Sequence, residues 1–379
     1  MTAKKWQFWI DRGGTFTDIV AKSPQGQLLT HKLLSENPEQ YKDAAIAGIR
    51  HFLKLPSHES INSEEIEVVK MGTTVATNAL LERKGQRCAL LITQGLKDAL
   101  YIGYQTRPDI FALAVTRGEP LYHQVIEVSE RVSAGGQVVI PLNLQKITGQ
   151  LQALRSQGFD SVAIVLMHGY QYQQHEKQVA RLASDLGFTQ ISTSHEVSPL
   201  QKIVSRGDTT VVDAYLSPVL RKYVSQVAGE LNAGSMLLKP ALSEPTQHQE
   251  IKPAKDVPLY FMQSNGGLTL ATHFQGKDAI LSGPAGGVVG MVKTAQMAGE
   301  HEGKPFNKLV GFDMGGTSTD VSHYAGEFER QFETQVAGVR LRAPMMQIHT
   351  VAAGGGSIVK FQDGRYQVGP ESAGANPGP

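Results

Sequence analysis

One octapeptide occurs twice in this chain, and it constrains the fold more than any other feature. The first copy is Asp11-Arg-Gly-Gly-Thr15-Phe-Thr-Asp18 and the second is Asp313-Met-Gly-Gly-Thr317-Ser-Thr-Asp320. Each follows an apolar run, Phe8-Trp9-Ile10 or Leu309-Val310-Gly311-Phe312, and leads into another, Ile19-Val20-Ala21 or Val321-Ser322. Each copy therefore predicts strand, Gly-Gly turn, strand. Adjacent glycines permit positive φ and bring backbone close to a ligand. Successive N–H groups in such a turn form an anion-binding nest. Gly13, Gly14, Gly315 and Gly316 are the candidate phosphate grips, with Thr15 and Thr317 adding hydroxyl donors. A carboxylate just before each turn, Asp11 or Asp313, can hold Mg²⁺ through water or orient an attacking group. No G-x-x-x-x-G-K-[ST] run occurs, so this is not a P-loop. A single D-x-G-G-T is as well explained by a bland hairpin; two matched copies heading two α/β segments point to a paired nucleotide site.

The chain of 379 residues predicts two or three domains, and 41% hydrophobic content suffices for their cores. Lys+Arg at 36 against Asp+Glu at 35 gives a net charge of +1, which argues against a nucleic-acid or membrane-surface role. The single cysteine, Cys88, excludes a disulfide framework and suits a reducing cytoplasm; its apolar run reads as core. No stretch is long and apolar enough to span a membrane, and no signal peptide is visible at Met1-Thr-Ala-Lys-Lys-Trp6.

The first hundred residues read as one β-β-β-α-β-α-β-α unit. Its strands are expected near 6–11, 17–22, 27–34, 66–71 and 87–93. Its helices are expected near 38–53, opened by Pro38, then 74–84, stopped by Gly85, and 94–101. Gly72, Thr73 and Thr74 close a strand and open a helix, which is either an anion site or simple capping. A second α/β stretch follows, with helices near 142–157 and 173–186 and strands near 161–167 and 189–193. His168, His195 and His349 read as structural. Residues 199–233 are mostly helical, 234–258 read as a surface loop, and a strand near 258–263 follows. Leu281-Ser-Gly-Pro-Ala-Gly-Gly-Val-Val-Gly290 opens a helix to about 299, whose glycines suggest close helix–helix approach. No helix is expected between 320 and 379. A sheet begun there could not bury both faces, which suggests an N-terminal fragment or a second chain that completes it.

The order of phosphate hairpin, small-residue helix, second phosphate hairpin and Gly-rich turn is similar to the sugar kinase, heat-shock chaperone and actin superfamily. The match is closer still at Met71-Gly-Thr-Thr-Val-Ala-Thr-Asn78 through Gly85, Leu281–Gly290, Gly311–Ser322 and Thr350-Val-Ala-Ala-Gly-Gly-Gly-Ser357, together with the first octapeptide. These resemble the hydantoinase A/oxoprolinase family, and Arg12 with Leu80-Leu-Glu-Arg-Lys-Gly85 points within it to the ATP-dependent 5-oxoprolinases. The resemblance implies an α/β fold of the actin-like ATPase (ribonuclease H-like) two-domain type, the second domain incomplete, divided as 1–200 and 201–379. It implies ATP with Mg²⁺, a small lactam substrate, and a hydantoinase B-like half in cis or trans; a homo-oligomer is expected. The implied reaction is ATP-driven opening of 5-oxoproline to glutamate. In it Asp11 and Asp313 act on Mg²⁺ or water, the two turns grip phosphates, and Gly354, Gly355 and Gly356 approach adenosine. Arg12 is either a ligand for the substrate carboxylate or an outward salt bridge, and Thr73 and Thr74 share the substrate assignment. The rival readings are a hydantoinase A or ketone-carboxylase subunit, a non-enzymatic ATP switch, and an inactive fragment.

Overall fold

The computed structural model describes residues 4–104, 111, 113–114, 118–231, 257–316, 318–362 and 364–373. Thr317, nearly all of the loop expected over 234–258 and the terminal Asn376–Pro379 lie outside the described residues. The first strands and helices are β1 (Trp6–Arg12), β2 (Phe16–Lys22), β3 (Leu28–Leu34), α1 (Ala44–Leu53), β4 (Ile66–Thr73) and α2 (Val75–Leu81). Next come β5 (Cys88–Thr93), α3 (Ala99–Ile102), β6 (Tyr122–Val128), β7 (Arg131–Val132), β8 (Val138–Ile140), α4 (Leu144–Ser156) and β9 (Ser161–Val165). They are followed by α5 (Gln174–Asp185), β10 (Gln190–Thr193), α6 (Ser194–Val197), α7 (Ile203–Glu230), β11 (Leu259–Met262) and β12 (Leu268–Leu270). The last part holds α8 (Ser282–Glu302), β13 (Leu309–Met314), β14 (Thr319–Tyr324), β15 (Arg330–Gln331), β16 (Thr334–Val336) and β17 (Val339–Leu341). It ends with β18 (Met345–Met346), β19 (Ile348–Val351), β20 (Ser357–Gln362) and β21 (Arg365–Ser372).

The fold is mixed α/β. A six-stranded sheet has the order β12-β11-β4-β1-β2-β3, with β4 parallel to both β1 and β11. It crosses the 200/201 division, because β11 and β12 join strands from the start of the chain. A second, all-parallel sheet has the order β10-β9-β5-β6. β5 thus belongs to this second sheet and not to the unit read from the first hundred residues. The reason is its composition. Every residue of Cys88–Thr93 is buried, so both faces need cover. Cys88, Leu90 and Ile92 pack into the core that includes α7, while Ala89 and Leu91 pack into a separate core with α4 and α5. Cys88 is an interior thiol, which burial pushes up to about 12.

Helix starts follow capping more closely than proline. α1 begins at Ala44, not near Pro38, because the Asp43 carboxylate accepts the Ile46 N–H (3.1 Å). α3 covers only Ala99–Ile102 of the helix expected over 94–101. α7 carries Pro218 inside 28 residues of helix. Proline removes the bond its N–H would give to the carbonyl four residues earlier. That carbonyl, Ala214 C=O, accepts the Ser161 hydroxyl instead (2.6 Å), which keeps a buried acceptor satisfied.

α8 packs on β4, β11, β13 and β14, and its glycines do not serve the close helix–helix approach expected of them. A Cβ on Gly286 would meet only Met262, and Gly287 and Gly290 face open space. β13, β14 and β19 form a three-stranded sheet with β13 at one edge. Val310, Phe312 and Met314 of β13 are exposed, so one face of this sheet is bare among the described residues.

Candidate active site

The two octapeptides fold into the same device. Asp11 pairs across the ladder with Asp18, and Asp313 with Asp320. Gly13 N–H donates to Phe16 C=O (3.0 Å), and Gly315 N–H to Ser318 C=O (2.9 Å). None of the four glycines has positive φ, in contrast to the expectation that the turns need left-handed backbone. They serve space instead. A Cβ on Gly13 would lie 2.8 Å from Phe16 C=O, whereas Gly316 has nothing within 4 Å and stays open to a ligand.

The backbone of each turn is aimed by bonds from behind it. Ser35 N–H donates to Thr15 C=O (2.8 Å), and its hydroxyl to Gly13 C=O (2.8 Å). A planar trans peptide points its C=O and the next N–H in opposite directions. The N–H groups of Gly14 and Phe16 therefore face away from Ser35, toward the exposed side of the turn. The second turn is aimed by the Gly-rich segment. Gly355 N–H donates to Gly315 C=O (2.9 Å) and Gly356 N–H to Gly316 C=O (2.7 Å). Gly316 N–H is thereby turned outward. Thr319 ties the same segment by its hydroxyl to Ala353 C=O (2.6 Å). Gly355 and Gly356 thus brace the second turn directly, while Gly354 N–H donates to the Ser357 hydroxyl (2.8 Å).

Asp11 and Asp313 belong to one cleft. The Asp11 carboxyl is held above its usual range, chiefly by desolvation from the protein around it, then by repulsion from Asp18 and Asp313. Its Oδ1 lies against Gly72 and Gly283, where added Cβ atoms would come within 2.9 and 3.4 Å. This puts the Asp11 carboxylate beside the first turn of α8. Ser282 fixes that turn by donating to Thr73 C=O (2.9 Å), and Leu281 N–H donates to the Thr77 hydroxyl (2.9 Å). A groove of ≈ 350 Å³ runs beside the second turn, lined among others by Pro284, Met291, Phe312, Asp313 and Asp320. A second hollow of ≈ 320 Å³, lined by Tyr101, Tyr122, Asp208 and Arg340, includes neither glycine turn in its lining.

The raised Asp11 pKa has a consequence for stability. Protonated Asp11 favours the folded state below its unfolded pKa, and this contribution is lost as pH rises through the folded pKa. Asp11→Asn is expected to raise the melting temperature at pH 7 and leave it unchanged near pH 3, as thermal melts at both pH values will report.

Arg12 faces a carboxylate of the protein, as the salt-bridge alternative had it, but inward and not outward. It points to the sheet face opposite Asp11, toward Asp43 (3.9 Å) and over the Tyr223 ring (5.2 Å). It is mostly covered there, so it anchors the first hairpin on α1 and α7 and does not face the cleft. Thr73 is fully buried and its hydroxyl accepts Val75 N–H (3.2 Å), while Thr74, at the N-cap position, makes no side-chain cap bond. Thr74 donates its N–H (3.1 Å) and hydroxyl (3.3 Å) to Arg12 C=O, tying the β4–α2 turn to the first hairpin. His195 is buried against Glu176 (2.6 Å). The residues that sequence reasoning passed over are Asp18, Asp320, Ser35 and Gly283, whereas Gly72 was already grouped with Thr73 and Thr74 at the strand-to-helix turn. The repeat itself carried Asp18 and Asp320, since both copies end on them; nothing in the sequence marks Ser35. Asp18 is held by Lys32 (2.9 Å), and Asp320 accepts the Thr350 hydroxyl (2.6 Å).

The donor set suits Mg²⁺ brought with a nucleotide. Among the described residues no cluster of three or more His, Cys, Asp or Glu could form a complete metal cage. Two carboxylates facing two N–H turns fit an ion held mostly by phosphate oxygens.

Fold and cleft together define an α/β protein with two matched glycine hairpins converging on one acidic cleft. The chain belongs to the hydantoinase/oxoprolinase family. The family profile for the hydantoinase/oxoprolinase N-terminal region matches residues 7–187, and the hydantoinase/oxoprolinase profile matches 206–379. It is 45% identical to 5-oxoprolinase 1 of Arabidopsis thaliana over 99% of this chain and 30% of that protein. The solved ATP-dependent caprolactamase from Pseudomonas jessenii is similar with a TM-score of 0.75 and 30% identity, over 98% of this chain and 52% of that one. Acetone carboxylase in its nucleotide-free structure shares the fold, with a TM-score of 0.75 at 23% identity, over 97% of this chain and 51% of that one. The chain therefore spans only about a third of the length of the curated 5-oxoprolinase relative. No helix among the described residues is long and apolar enough to cross a membrane.

Proposed function

We propose that this chain is the ATP-binding, lactam-phosphorylating part of a 5-oxoprolinase. The observation that carries the reading is the convergence of two matched hairpins, each with an outward-facing glycine N–H, on the Asp11–Asp313 cleft. Relatives named 5-oxoprolinase at 39–45% identity favour 5-oxoproline as the substrate. In this reading the architecture is of the actin-like ATPase type, with one hairpin from each half meeting ATP.

The chemistry needs coupling because opening a five-membered lactam in water is unfavourable. The lactam oxygen attacks the γ-phosphorus and ADP leaves. Water then adds to the activated carbon, the C–N bond breaks, and a second water releases phosphate from the acyl phosphate. The net change is ATP, lactam and two waters to ADP, phosphate and glutamate. Phosphoryl transfer asks mainly for positioning and charge stabilisation. Gly14 and Gly316 N–H groups position phosphate oxygens, and Asp313 orients the attacking group. Mg²⁺, held by Asp11 and Asp313 with the phosphates, supplies charge neutralisation when bound. A hydantoinase B-type half, in cis or trans, completes hydrolysis.

The caprolactamase likeness supports a second reading in which the substrate is a larger cyclic amide. ATP hydrolysis by this chain, supplemented with a hydantoinase B-type half, separates them. Stimulation of at least about fivefold by 5-oxoproline and none by caprolactam is expected; the reverse pattern would favour the second reading, and no stimulation by either would overturn both.

A further inference from the structure

We propose that Ser35 is a positioning residue for the phosphoryl end of the nucleotide, acting through the peptide units of the first turn. This rests on the ATP reading above. Ser35 is 4% exposed and cannot touch a ligand itself. Its N–H and its hydroxyl are both spent on the turn. The N–H goes to Thr15 C=O and the hydroxyl to Gly13 C=O, each at 2.8 Å. The hydroxyl oxygen also meets the buried Thr17 hydroxyl (3.0 Å), and with its own proton on Gly13 C=O it is the acceptor there. Ser35 sits just past the end of β3, so its place is set by the β2–β3 ladder and not by the turn.

The consequence concerns one peptide bond. The Gly13–Gly14 unit is flanked by two glycines, and so has the greatest freedom to rotate. The Ser35 hydroxyl is the group that holds its carbonyl inward, and so holds the Gly14 N–H outward. Without it, the peptide can flip and present a carbonyl oxygen, with its partial negative charge, to the phosphate. Among the described residues no such side chain holds the second turn, and backbone bonds from Gly355 and Gly356 hold it instead. The two halves of the grip are thus set independently, the first by one hydroxyl and the second by a peptide segment.

The test is a pair of variants that differ only in the hydroxyl, Ser35→Thr and Ser35→Val, so that any packing cost of the added atoms is common to both. Competition of ATP and of adenosine against a fluorescent ATP analogue gives both affinities. Ser35→Val is expected to bind ATP about tenfold more weakly than Ser35→Thr, the size of one lost hydrogen bond, with adenosine unchanged between them. Thr17→Val, which leaves the Ser35–Gly13 bond in place, should stay within about twofold of the parent. Equal ATP affinity in the Ser35 pair, or a matching loss for adenosine, overturns the positioning role while leaving the ATP reading intact. Failure of the unaltered chain to bind ATP overturns both.

Discussion

Asp313→Ala is expected to lower ATP turnover at least about a hundredfold while leaving the fold unchanged. The carboxylate is exposed beside the second turn, so its loss removes no packing. Exposed substitutions of this kind usually change stability by less than about 0.5 kcal/mol. A charge that orients the attacking group or holds the metal contributes several kcal/mol to the transition state, and each 1.4 kcal/mol is roughly tenfold in rate. Steady-state ATP hydrolysis and a thermal melt together check both halves of the expectation. A large fall in melting temperature would move Asp313 from chemistry to structure.

Gly354→Ala is the second large effect, and it acts from behind the site. A Cβ there would lie 2.5 Å from Gly315 C=O and 2.8 Å from the Gly316 carbonyl carbon. Both are backbone atoms of the second turn, so neither can swing aside. The turn must shift and lose its bonds from Gly355 and Gly356. We expect a loss of about 1–3 kcal/mol in stability together with at least about a hundredfold loss of ATP turnover, because a misplacement near 1 Å is enough for that. Two neighbours serve as controls. Gly355→Ala meets its nearest atom at 3.8 Å and should be nearly silent. Gly316→Ala meets nothing within 4 Å, so it should melt like the parent yet bind ATP more weakly, since the new methyl occupies the ligand's side.

Much of this was legible because the repeat is local. Octapeptides that alternate apolar runs with Gly-Gly specify hairpins within a few residues, and both formed with their aspartates in register. Periodicity likewise located α4, α5 and α8 to within a few residues. What failed depended on partners far away in sequence. β5 was read with the first sheet because nothing in Cys88–Thr93 says which layer will cover each face; α7, more than a hundred residues on, decides it. Arg12 looked available for a carboxylate because the pattern does not reveal Asp43 and Tyr223 on its side of the sheet. The Gly354–Gly356 turn resembled an adenosine contact, yet the N–H groups of Gly355 and Gly356 bond to the second hairpin. Ser35 carried no signal at all, since one serine past a strand end is ordinary until its hydroxyl is seen on Gly13 C=O.

The central claim is that the two hairpins form one nucleotide site. Isothermal titration of Mg·ATP into the chain tests it most directly, alongside Asp11→Ala and Asp313→Ala, with melts establishing that each is folded. One saturable ATP site in the parent, lost in both variants, is the predicted result, because each aspartate belongs to a different hairpin. Unchanged binding in either variant would mean that its hairpin stands outside the site and would contradict the paired-turn account.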